Sequence, residues 1–356
     1  MDKVFMKGNE AIPEAAIRAG CRFFAGYPIT PQNEMPEYMS RRMPEVGGVF
    51  LQAESEVAAS NMLYGAGAGG ARAMTSSSSI GIALKSEGIS HLAGARIPAV
   101  IVNVNRGGPG IGSIGPSQQD YFQATKAITC GGSKMIVLSP ATVQEAVDLT
   151  YKAFDYADRD RNPVMVFTDA AIGNMMESVV LPEDKTTFPD KSDWIITGCK
   201  GRDSRSITSF VSPIEAQVEQ FNIQTAQMYE RWQKEDVLVE ELMLDDAEIV
   251  ITAFGFVGRI AQSAMKTLRE QGIKAGLIRP ITVSPFPYAS YRKLDSTRVK
   301  HILCSEMAIP GQMVEDVQLA VCGNIPISSY NRSGGVPVQD AEIVTKVKEM
   351  TAGEGL

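Results

Sequence analysis

Short apolar runs alternate with stretches of helical periodicity over the first 180 residues. The runs are predicted strands, because brief apolar segments between turn residues are typical of strands buried on both faces. They are CRFFAGY, GGVFLQAE, ARAMTSS, PAVIVNVN, KMIVLSP and PVMVFTDA. Helices are predicted between them over 55–68, 79–94 and 142–157. We therefore predict a doubly wound domain with a parallel sheet over 1–180.

The alternation stops after residue 180 and resumes near residue 246. The segment LPEDKTTFPDKSDW is rich in turn residues, and residues 212–242 have the pattern of one long, charged, amphipathic helix. We predict a linker with a packing helix over 181–245. Apolar runs such as KAGLIRP, KHILCSE and IPISSYN then alternate with predicted helices at 258–271, 311–322 and 339–350. This pattern predicts a second, smaller α/β domain over 246–356, so the fold class is α/β throughout.

Composition excludes several classes of protein. The chain has 356 residues, of which 44% are apolar and 21% charged, as in a globular protein. Its formal net charge of -7 and the lack of Lys/Arg-rich runs argue against a nucleic-acid partner. No apolar run is long enough for a signal peptide or a membrane span, so we expect no membrane association and a cytoplasmic protein. Five scattered cysteines and two histidines give no local ligands for a metal or an iron–sulfur cluster.

Chemically useful side chains follow four of the predicted strands. The first strand is followed by YPITP with Thr30, the second by Glu54 and Glu56, the third by the serines 76–79, and the fourth by Asn105 and Arg106. Ligands of open α/β sheets bind at the carboxyl ends of strands. We therefore expect a hydroxyl, one or two carboxylates and a guanidinium to converge on one rim of the sheet.

Each of these residues also has a purely structural explanation. Thr30 could cap a helix that begins near Pro31. Glu56, which follows the expected N-cap Ser55, could simply complement a helix dipole. Arg106 could be a surface residue at a turn. It is the ordered set at equivalent strand ends that favours a site.

A conventional phosphate site is missing from the sequence. There is no G-x-x-x-x-G-K-[ST] motif, and no G-x-G-x-x-G has the strand and helix context of a dinucleotide fingerprint. A nicotinamide dehydrogenase is therefore disfavoured.

The motifs nevertheless have a family resemblance. The segments GNEAIPEAAIRAGCRFFAGYPITPQNEM, QAESEVAASNMLYGAGAGGARAMTSSSSIG and VIVNVNRGGPG occur in this order between residues 8 and about 175. Together they resemble the α subunit of the 2-oxoacid:ferredoxin oxidoreductases, thiamine-diphosphate enzymes that oxidatively decarboxylate 2-oxoacids to acyl-CoA. The segment LIRPITVSPFP is similar to the transketolase C-terminal-like domain of the same family. Residues 181–245 carry no motif of the family.

The resemblance implies roles for individual residues. Glu56 would hydrogen-bond the aminopyrimidine N1′ and favour the imino tautomer that deprotonates the thiazolium. Thr30 would border the reacting centre, and Arg106 would bind the substrate carboxylate. As a set, the cofactor-binding residues would be Tyr27, Pro28, Ile29, Thr30, Glu56, Ser77 and Ser78, with no metal ligand on this chain.

The resemblance also implies partners. The chain would hold the pyrimidine half of thiamine diphosphate, while the diphosphate and its magnesium would lie on a β subunit with a G-D-G…N motif. This sequence contains no G-D-G. Iron–sulfur clusters would lie only on partner subunits, and the further partners would be γ- and δ-type subunits, ferredoxin and coenzyme A. The chain would then be inactive alone.

The expected substrate is a branched-chain 2-oxoacid such as 2-oxoisovalerate. After the arginine, this chain continues GGPGIGSIGPSQQDYF where relatives resembling the 2-oxoglutarate enzymes have GGPSTG. Three alternatives remain open at this point. They are a 2-oxoglutarate enzyme, a transketolase-like transferase half, and a non-catalytic α/β module that binds a small anion through Arg106.

Overall fold

The structure is a computed structural model that describes residues 3–207 and 209–352. The strands in this part of the chain are β1 (Lys3–Lys7), β2 (Phe23–Gly26), β3 (Val49–Gln52), β4 (Ala73–Ser77), β5 (Ala99–Asn105), β6 (Ile136–Leu138), β7 (Pro163–Asp169), β8 (Met176–Val180), β9 (Val239–Leu242), β10 (Ile249–Thr252), β11 (Ala275–Pro280), β12 (Thr282–Ser284), β13 (His301–Glu306) and β14 (Ile327–Asn331). The helices are α1 (Gly8–Arg18), α2 (Glu34–Glu45), α3 (Glu56–Ala68), α4 (Ile80–Gly94), α5 (Val143–Asp160), α6 (Ala170–Asn174), α7 (Glu215–Glu235), α8 (Gly255–Glu270), α9 (Tyr288–Arg292), α10 (Met313–Val321) and α11 (Asp340–Thr351).

A seven-stranded sheet, called the first sheet below, forms the larger part of the molecule. Its strand order is β12-β6-β7-β5-β4-β2-β3, and all neighbours are parallel except β12, which is antiparallel to β6. Both faces are buried: Val100, Val102 and Val104 of β5 contact one core, and Ile101 contacts the other. All six predicted strands lie in this sheet, and the predicted α/β fold class is confirmed.

The predicted helices of this region are also present, and local capping explains one boundary. Thr142 accepts a hydrogen bond from the backbone N–H of Glu145 (3.1 Å), so it caps α5. The Glu145 carboxylate does not complete a capping box, because it accepts from the N–H of Ala141 and pairs with Arg279. The pattern did not predict β1, which pairs antiparallel with β8 in a separate two-stranded sheet.

A five-stranded sheet, called the second sheet, has the order β14-β13-β10-β11-β9. Its four predicted strands are parallel, and β9 adds antiparallel to β11. The prediction of one helix over 212–242 was therefore wrong at its end, because α7 ends at Glu235 and Val239–Leu242 form β9. The two sheets share a core, in which the rings of Phe167 and Phe254 stack with centroids 6.1 Å apart.

The segment after β8 is tied to the first sheet by buried charges. Arg72 donates to Asp158 and Asp155 (both 2.8 Å), and these carboxylates also pair with Lys191 (2.6 Å) and Lys185 (2.7 Å). Arg72 and Asp158 are almost fully buried, and each has a second partner, Asp155 and Lys191 respectively, so the buried charges of this network compensate one another. The charged residues of this segment thus hold it against the first sheet. No helix of residues 3–207 and 209–352 has the length and apolar character that crossing a membrane requires.

Candidate functional site

The four chemically useful strand ends lie side by side. Strands β5, β4, β2 and β3 are consecutive in the first sheet, and all four are parallel. Their carboxyl ends therefore form one edge, and the chain order reverses between β4 and β2. Crevices at such reversals are where ligands of doubly wound sheets bind. We call this edge, with the residues that follow β2 to β5, the rim.

Arg106 and Thr30 meet across the rim. Nη1 of Arg106 donates to the carbonyl oxygen of Thr30 (2.8 Å) and to its hydroxyl Oγ1 (3.2 Å). Arg106 is only 7% exposed, so it is not a surface residue, and its buried Nε has no hydrogen-bond partner among the described residues. Thr30 does not cap a helix, because α2 begins at Glu34 with Asn33 before it. The guanidinium is thus bound to Thr30 through Nη1, and its Nε–H remains available as a donor.

The backbone around Arg106 is fixed by Ser79. The hydroxyl of Ser79 accepts from the N–H of Arg106 (3.1 Å) and lies 3.3 Å from its carbonyl oxygen. Ser79 has a φ of +36°, in the region that non-glycine residues avoid. Its N–H donates to Asn103 Oδ1 (3.1 Å), which ties the turn before α4 to β5. The last residue of the serine run therefore positions the arginine.

Glu56 is the first residue of α3. Ser55 is the N-cap, as expected, and its hydroxyl accepts from the N–H of Ala58 (3.1 Å). Glu56 is 6% exposed, whereas Glu54 is exposed, so the two carboxylates do not point the same way, contrary to the expectation from strand geometry. Strand β3 ends at Gln52, so side chains no longer alternate between two faces after that residue. Of these two glutamates, Glu56 is the buried one at the rim.

Glu56, Ser77 and Gly81 are in close contact. A Cβ on Gly81 would lie 2.6 Å from Glu56 Oε1 and 2.1 Å from Ser77 Oγ, so only glycine fits at this position of α4. The hydroxyls of Ser77 and Ser78 are buried without a hydrogen-bond partner among the described residues. Ser76 differs, since its hydroxyl donates to Gln32 Oε1 (2.6 Å). The unpartnered Ser77 hydroxyl lies where a polar ligand near Glu56 would use it.

The remaining predicted site residues line the open side of the rim. Tyr27, Pro28 and Thr30 are exposed, and Ile29 is half-buried. Two of the larger surface cavities lie elsewhere: one of about 630 Å³ lies beside Lys274 and His301, and one of about 580 Å³ lies along α7. The rim is thus an open surface at Tyr27 and Pro28.

Three residues at the site were not singled out by the sequence. Asp120 accepts a hydrogen bond from Asn103 Nδ2 (3.1 Å). Burial raises the pKa of the Asp120 carboxyl, although the Ser79 and Asn103 side chains and the nearby Arg106 charge oppose the shift. Lys85 is fully buried beneath Glu56. The spacing could have identified Asn103, which lies two residues before Asn105 and faces the same side of β5. Nothing in the local pattern distinguishes Asp120 or Lys85.

The loop after Arg106 contacts the second part of the chain. Ser113 donates from its hydroxyl to the carbonyl oxygen of Gly334 (3.0 Å), and the Cα of Gly335 approaches Gly115 so closely that a Cβ there would lie 2.6 Å away. Ile111 and Ile114 in this loop are 81% and 66% exposed. The loop that follows Arg106 therefore exposes two apolar side chains at the contact between the two parts of the chain.

Comparison with known proteins agrees with this geometry. A family model described as pyruvate flavodoxin/ferredoxin oxidoreductase, thiamine diphosphate-binding, matches residues 14–241, and the model of pyruvate:ferredoxin oxidoreductase core domain II matches residues 247–343. Ketoisovalerate oxidoreductase subunit VorB of Methanothermobacter thermautotrophicus is 44% identical over 345 residues, with 97% of each chain covered. 2-Oxoglutarate synthase subunit KorA of Methanocaldococcus jannaschii is 35% identical, covering 88% of this chain and 90% of KorA.

A solved structure has the same fold over almost the whole chain. It is the 2-oxoglutarate:ferredoxin oxidoreductase from Magnetococcus marinus with 2-oxoglutarate, coenzyme A and succinyl-CoA bound. The TM-score is 0.86 at 25% identity, and the match covers 98% of this chain and 65% of that one.

Fold and site thus define an α/β protein with a thiamine-diphosphate-binding domain. The chain belongs to the pyruvate flavodoxin/ferredoxin oxidoreductase family, as a subunit of an oxidoreductase that depends on thiamine diphosphate. This confirms the resemblance seen in the motifs. The residues at the rim fit such a cofactor, because the buried Glu56 carboxylate lies beside the Ser77 hydroxyl, which has no hydrogen-bond partner among the described residues.

Proposed function

We propose that the chain is the α subunit of a heteromeric 2-oxoacid:ferredoxin oxidoreductase that converts a branched-chain 2-oxoacid to its acyl-CoA and reduces ferredoxin. One observation carries this proposal: Glu56, the Thr30–Arg106 pair and the unpartnered Ser77 hydroxyl share one rim. A carboxylate and a guanidinium in such a place suit an aminopyrimidine and a 2-oxoacid, respectively.

Glu56 would act on the cofactor. When bound, thiamine diphosphate supplies the carbanion that attacks 2-oxo groups and holds the electrons released on decarboxylation. Glu56 would hold a proton at the aminopyrimidine N1′, and its burial excludes water that would otherwise weaken this bond. Ser77 and Ser78 would donate their unused hydroxyls to the same ring, and Tyr27, Pro28 and Ile29 would line its open side.

Arg106 would bind the substrate carboxylate. Its Nη1 is already used to hold Thr30, which leaves the Nε edge for a carboxylate. A planar fork matches two carboxylate oxygens better than an ammonium does. Thr30, fixed by the same arginine, would place its hydroxyl beside the reacting carbon.

The side chain of the substrate is inferred from the loop after Arg106. Residues 107–119 contain no cationic side chain, and the two exposed isoleucines are apolar. A dicarboxylic substrate needs a second cation, whereas a branched aliphatic chain needs apolar surface. The higher identity to the ketoisovalerate subunit than to the 2-oxoglutarate subunit supports the same choice.

The site would be completed by a partner. We place the diphosphate and its magnesium on a β subunit, and the iron–sulfur clusters on β, γ or δ-type subunits. Supporting this, the sequence contains no G-D-G, and in residues 3–207 and 209–352 no group of three His, Cys, Asp or Glu residues could hold a metal ion. The open rim at Tyr27 and Pro28 would be the surface that the β subunit covers.

We also propose a division of the chain into a pyrimidine-binding domain over 1–180, a connecting segment over 181–245 and a transketolase C-terminal-like domain over 246–356. The two sheets support it, and the matched ranges 14–241 and 247–343 support the boundary near residue 246. Two strands cross these limits, since β12 completes the first sheet and β9 completes the second. Each of these strands would hold two of these parts together by pairing with a strand of another part.

The test is an assay of the native complex purified through this chain. With thiamine diphosphate, magnesium, coenzyme A and ferredoxin, we expect the highest kcat/KM for 2-oxoisovalerate, lower values for pyruvate, and the lowest for 2-oxoglutarate. A preference for 2-oxoglutarate would replace the branched-chain assignment. Binding of 2-oxoacids without turnover by any complex would indicate an anion-binding module.

A further inference from the structure

Helices α3 and α4 pack unusually closely. Gly81, Lys85 and Gly88 lie on one face of α4, because residues four and three apart are neighbours on a helix. A Cβ on Gly88 would lie 2.3 Å from Ser60 Oγ, and one on Gly81 would lie 2.6 Å from Glu56 Oε1. The two glycines therefore let α3 approach, and the lysine between them is enclosed by the contact.

Lys85 is enclosed without an ion pair. Its side chain is 0% exposed, and Nζ lies 3.4 Å from the backbone carbonyl oxygen of Glu56, a long contact for a hydrogen bond. No carboxylate of the described residues lies within 4.0 Å of this ammonium. A buried, unpaired lysine is costly, and an apolar residue would fill the same volume at lower cost. Packing alone therefore does not account for a lysine here.

The charge that acts on Lys85 is that of Glu56. Burial lowers the pKa of Lys85 to about 8, and the negative charge of Glu56 opposes this decrease. Two neutral polar groups also lie at this contact: the Ser60 hydroxyl of α3, which meets Gly88, and the Ser77 hydroxyl of β4, which meets Gly81. Lys85 and Glu56 thus form a charge pair separated by the first turn of α3.

We propose that Lys85 is a positioning residue for Glu56, whose ammonium keeps the Glu56 carboxylate ionised and directed into the rim until an aminopyrimidine binds. The inference rests on the proposed function of Glu56. A nearby ammonium stabilises the carboxylate anion. Because the Lys85 ammonium is held below the first turn of α3, it occupies no hydrogen-bonding site on the carboxylate oxygens. The Glu56 carboxylate thus remains free to accept a hydrogen bond from a ligand bound at the rim.

The first experiment measures the pKa of Glu56 in the full chain without cofactor, by carbon-13 NMR of labelled glutamate carboxyls. The signal of Glu56 is assigned by its loss in Glu56→Gln. In Lys85→Met, which keeps most of the length of the side chain, we expect the proton affinity of Glu56 to rise about tenfold. Lys85→Arg should restore it, and Lys152→Met, at an exposed position of α5, should leave it unchanged.

A reciprocal measurement covers the case in which Lys85→Met does not fold. In the wild-type chain and in Glu56→Gln, the Lys85 Nζ is titrated by nitrogen-15 NMR. Loss of the negative charge should lower the pKa of Lys85 further, because coupling between two sites is mutual. Unchanged values in either experiment, with the fold intact by circular dichroism, would overturn the proposal.

A third measurement connects the pair to turnover. In the assembled complex, the acid limb of the kcat/KM profile should move to higher pH in Lys85→Met and return in Lys85→Arg. A uniform loss of rate without a pH shift would indicate that Lys85 supports only the packing of α3 on α4. The NMR titrations need no cofactor, so their failure would leave the thiamine assignment of Glu56 intact. Failure of the complex to need thiamine diphosphate would overturn that assignment and leave the titrations valid.

Discussion

Arg106 at the end of β5 donates from Nη1 to both the carbonyl and the hydroxyl oxygen of Thr30, at 2.8 and 3.2 Å. The two residues are 76 positions apart and flank the end of β4, which lies between β5 and β2 in the sheet. One guanidinium thereby fixes the loop that follows β2. Loss of Arg106 should consequently affect both substrate binding and the position of the threonine hydroxyl.

Arg106→Ala in the assembled complex should raise KM for every accepted 2-oxoacid. The expected loss in kcat/KM corresponds to roughly 2–5 kcal/mol, as for truncation of one partner of a desolvated charge pair. Arg106→Lys should restore only part, because a lysine cannot hold Thr30 and a carboxylate at once. Steady-state kinetics with straight-chain, branched and dicarboxylic 2-oxoacids measure this, with exposed Arg292→Ala as the control. An effect confined to the dicarboxylic substrate would mean that Arg106 binds a distal carboxylate.

Glu56→Gln should reduce kcat by a factor of roughly 10²–10⁴, since glutamine keeps the shape but cannot share a proton with N1′. Glu54→Gln is the matched control, because this glutamate is exposed and two residues away. Both variants should assemble normally in size-exclusion chromatography. If Glu54→Gln were the more damaging of the two, the assignment within the ESE motif would be reversed.

The isolated chain should bind thiamine diphosphate weakly and show no oxidoreductase activity. The rim offers groups for the pyrimidine, but the sequence has no G-D-G motif for the diphosphate. Isothermal titration with thiamine diphosphate and magnesium measures this, and adding the β subunit should produce tight binding. Tight, magnesium-dependent binding by the chain alone would contradict a divided site.

Stability should depend on pH through Asp169 at the end of β7. Burial raises the pKa of this carboxyl from 3.8 to about 6, although the N–H groups of Ile172 and Ala171 oppose the shift. The folded state therefore binds this proton more tightly than the unfolded state, and the contribution of Asp169 to the free energy of unfolding falls between about pH 4 and pH 6. Asp169→Asn removes the titration and keeps an oxygen that can accept from Ala171. It should be more stable than the wild type at pH 7, by roughly 1–3 kcal/mol, and similar near pH 4.

Urea unfolding of both chains at pH 4.5, 5.5 and 7 measures this difference. The exposed Asp245→Asn is the control and should give the same difference at each pH. A difference between Asp169→Asn and the wild type that does not change with pH would show that Asp169 does not titrate in this range.

The alternation of apolar runs was enough to predict six of the seven strands of the first sheet and most of those of the second. It succeeded because these strands are buried on both faces and the helices between them are long, so that each element carries its own periodic pattern. Among the strands that it did not predict are β1 and β9. Both are half-buried or exposed strands, and β9 directly follows a helix with similar charge, so its local pattern resembles a continuation of α7.

The order of residues at the strand ends also placed Thr30, Glu56 and Arg106 on one rim, because parallel neighbours end at the same edge. The choice between Glu54 and Glu56 depends on where the chain leaves the strand and begins α3, and the Ser55 cap and the burial of Glu56 against Gly81 support Glu56. A sequence pattern records which residue types are present, but not how deeply each is enclosed.

The sequence by itself determined the fold class and the family and named Thr30, Glu56 and Arg106 as candidate site residues, because motif order and burial periodicity can be read along the chain. The tertiary structure alone decided that Arg106 holds Thr30, that two serine hydroxyls remain unpartnered, and that Lys85 lies beneath Glu56. These relationships depend on strand order and on the distance at which α3 and α4 pack. Both are fixed only when residues distant in the chain compete for the same space.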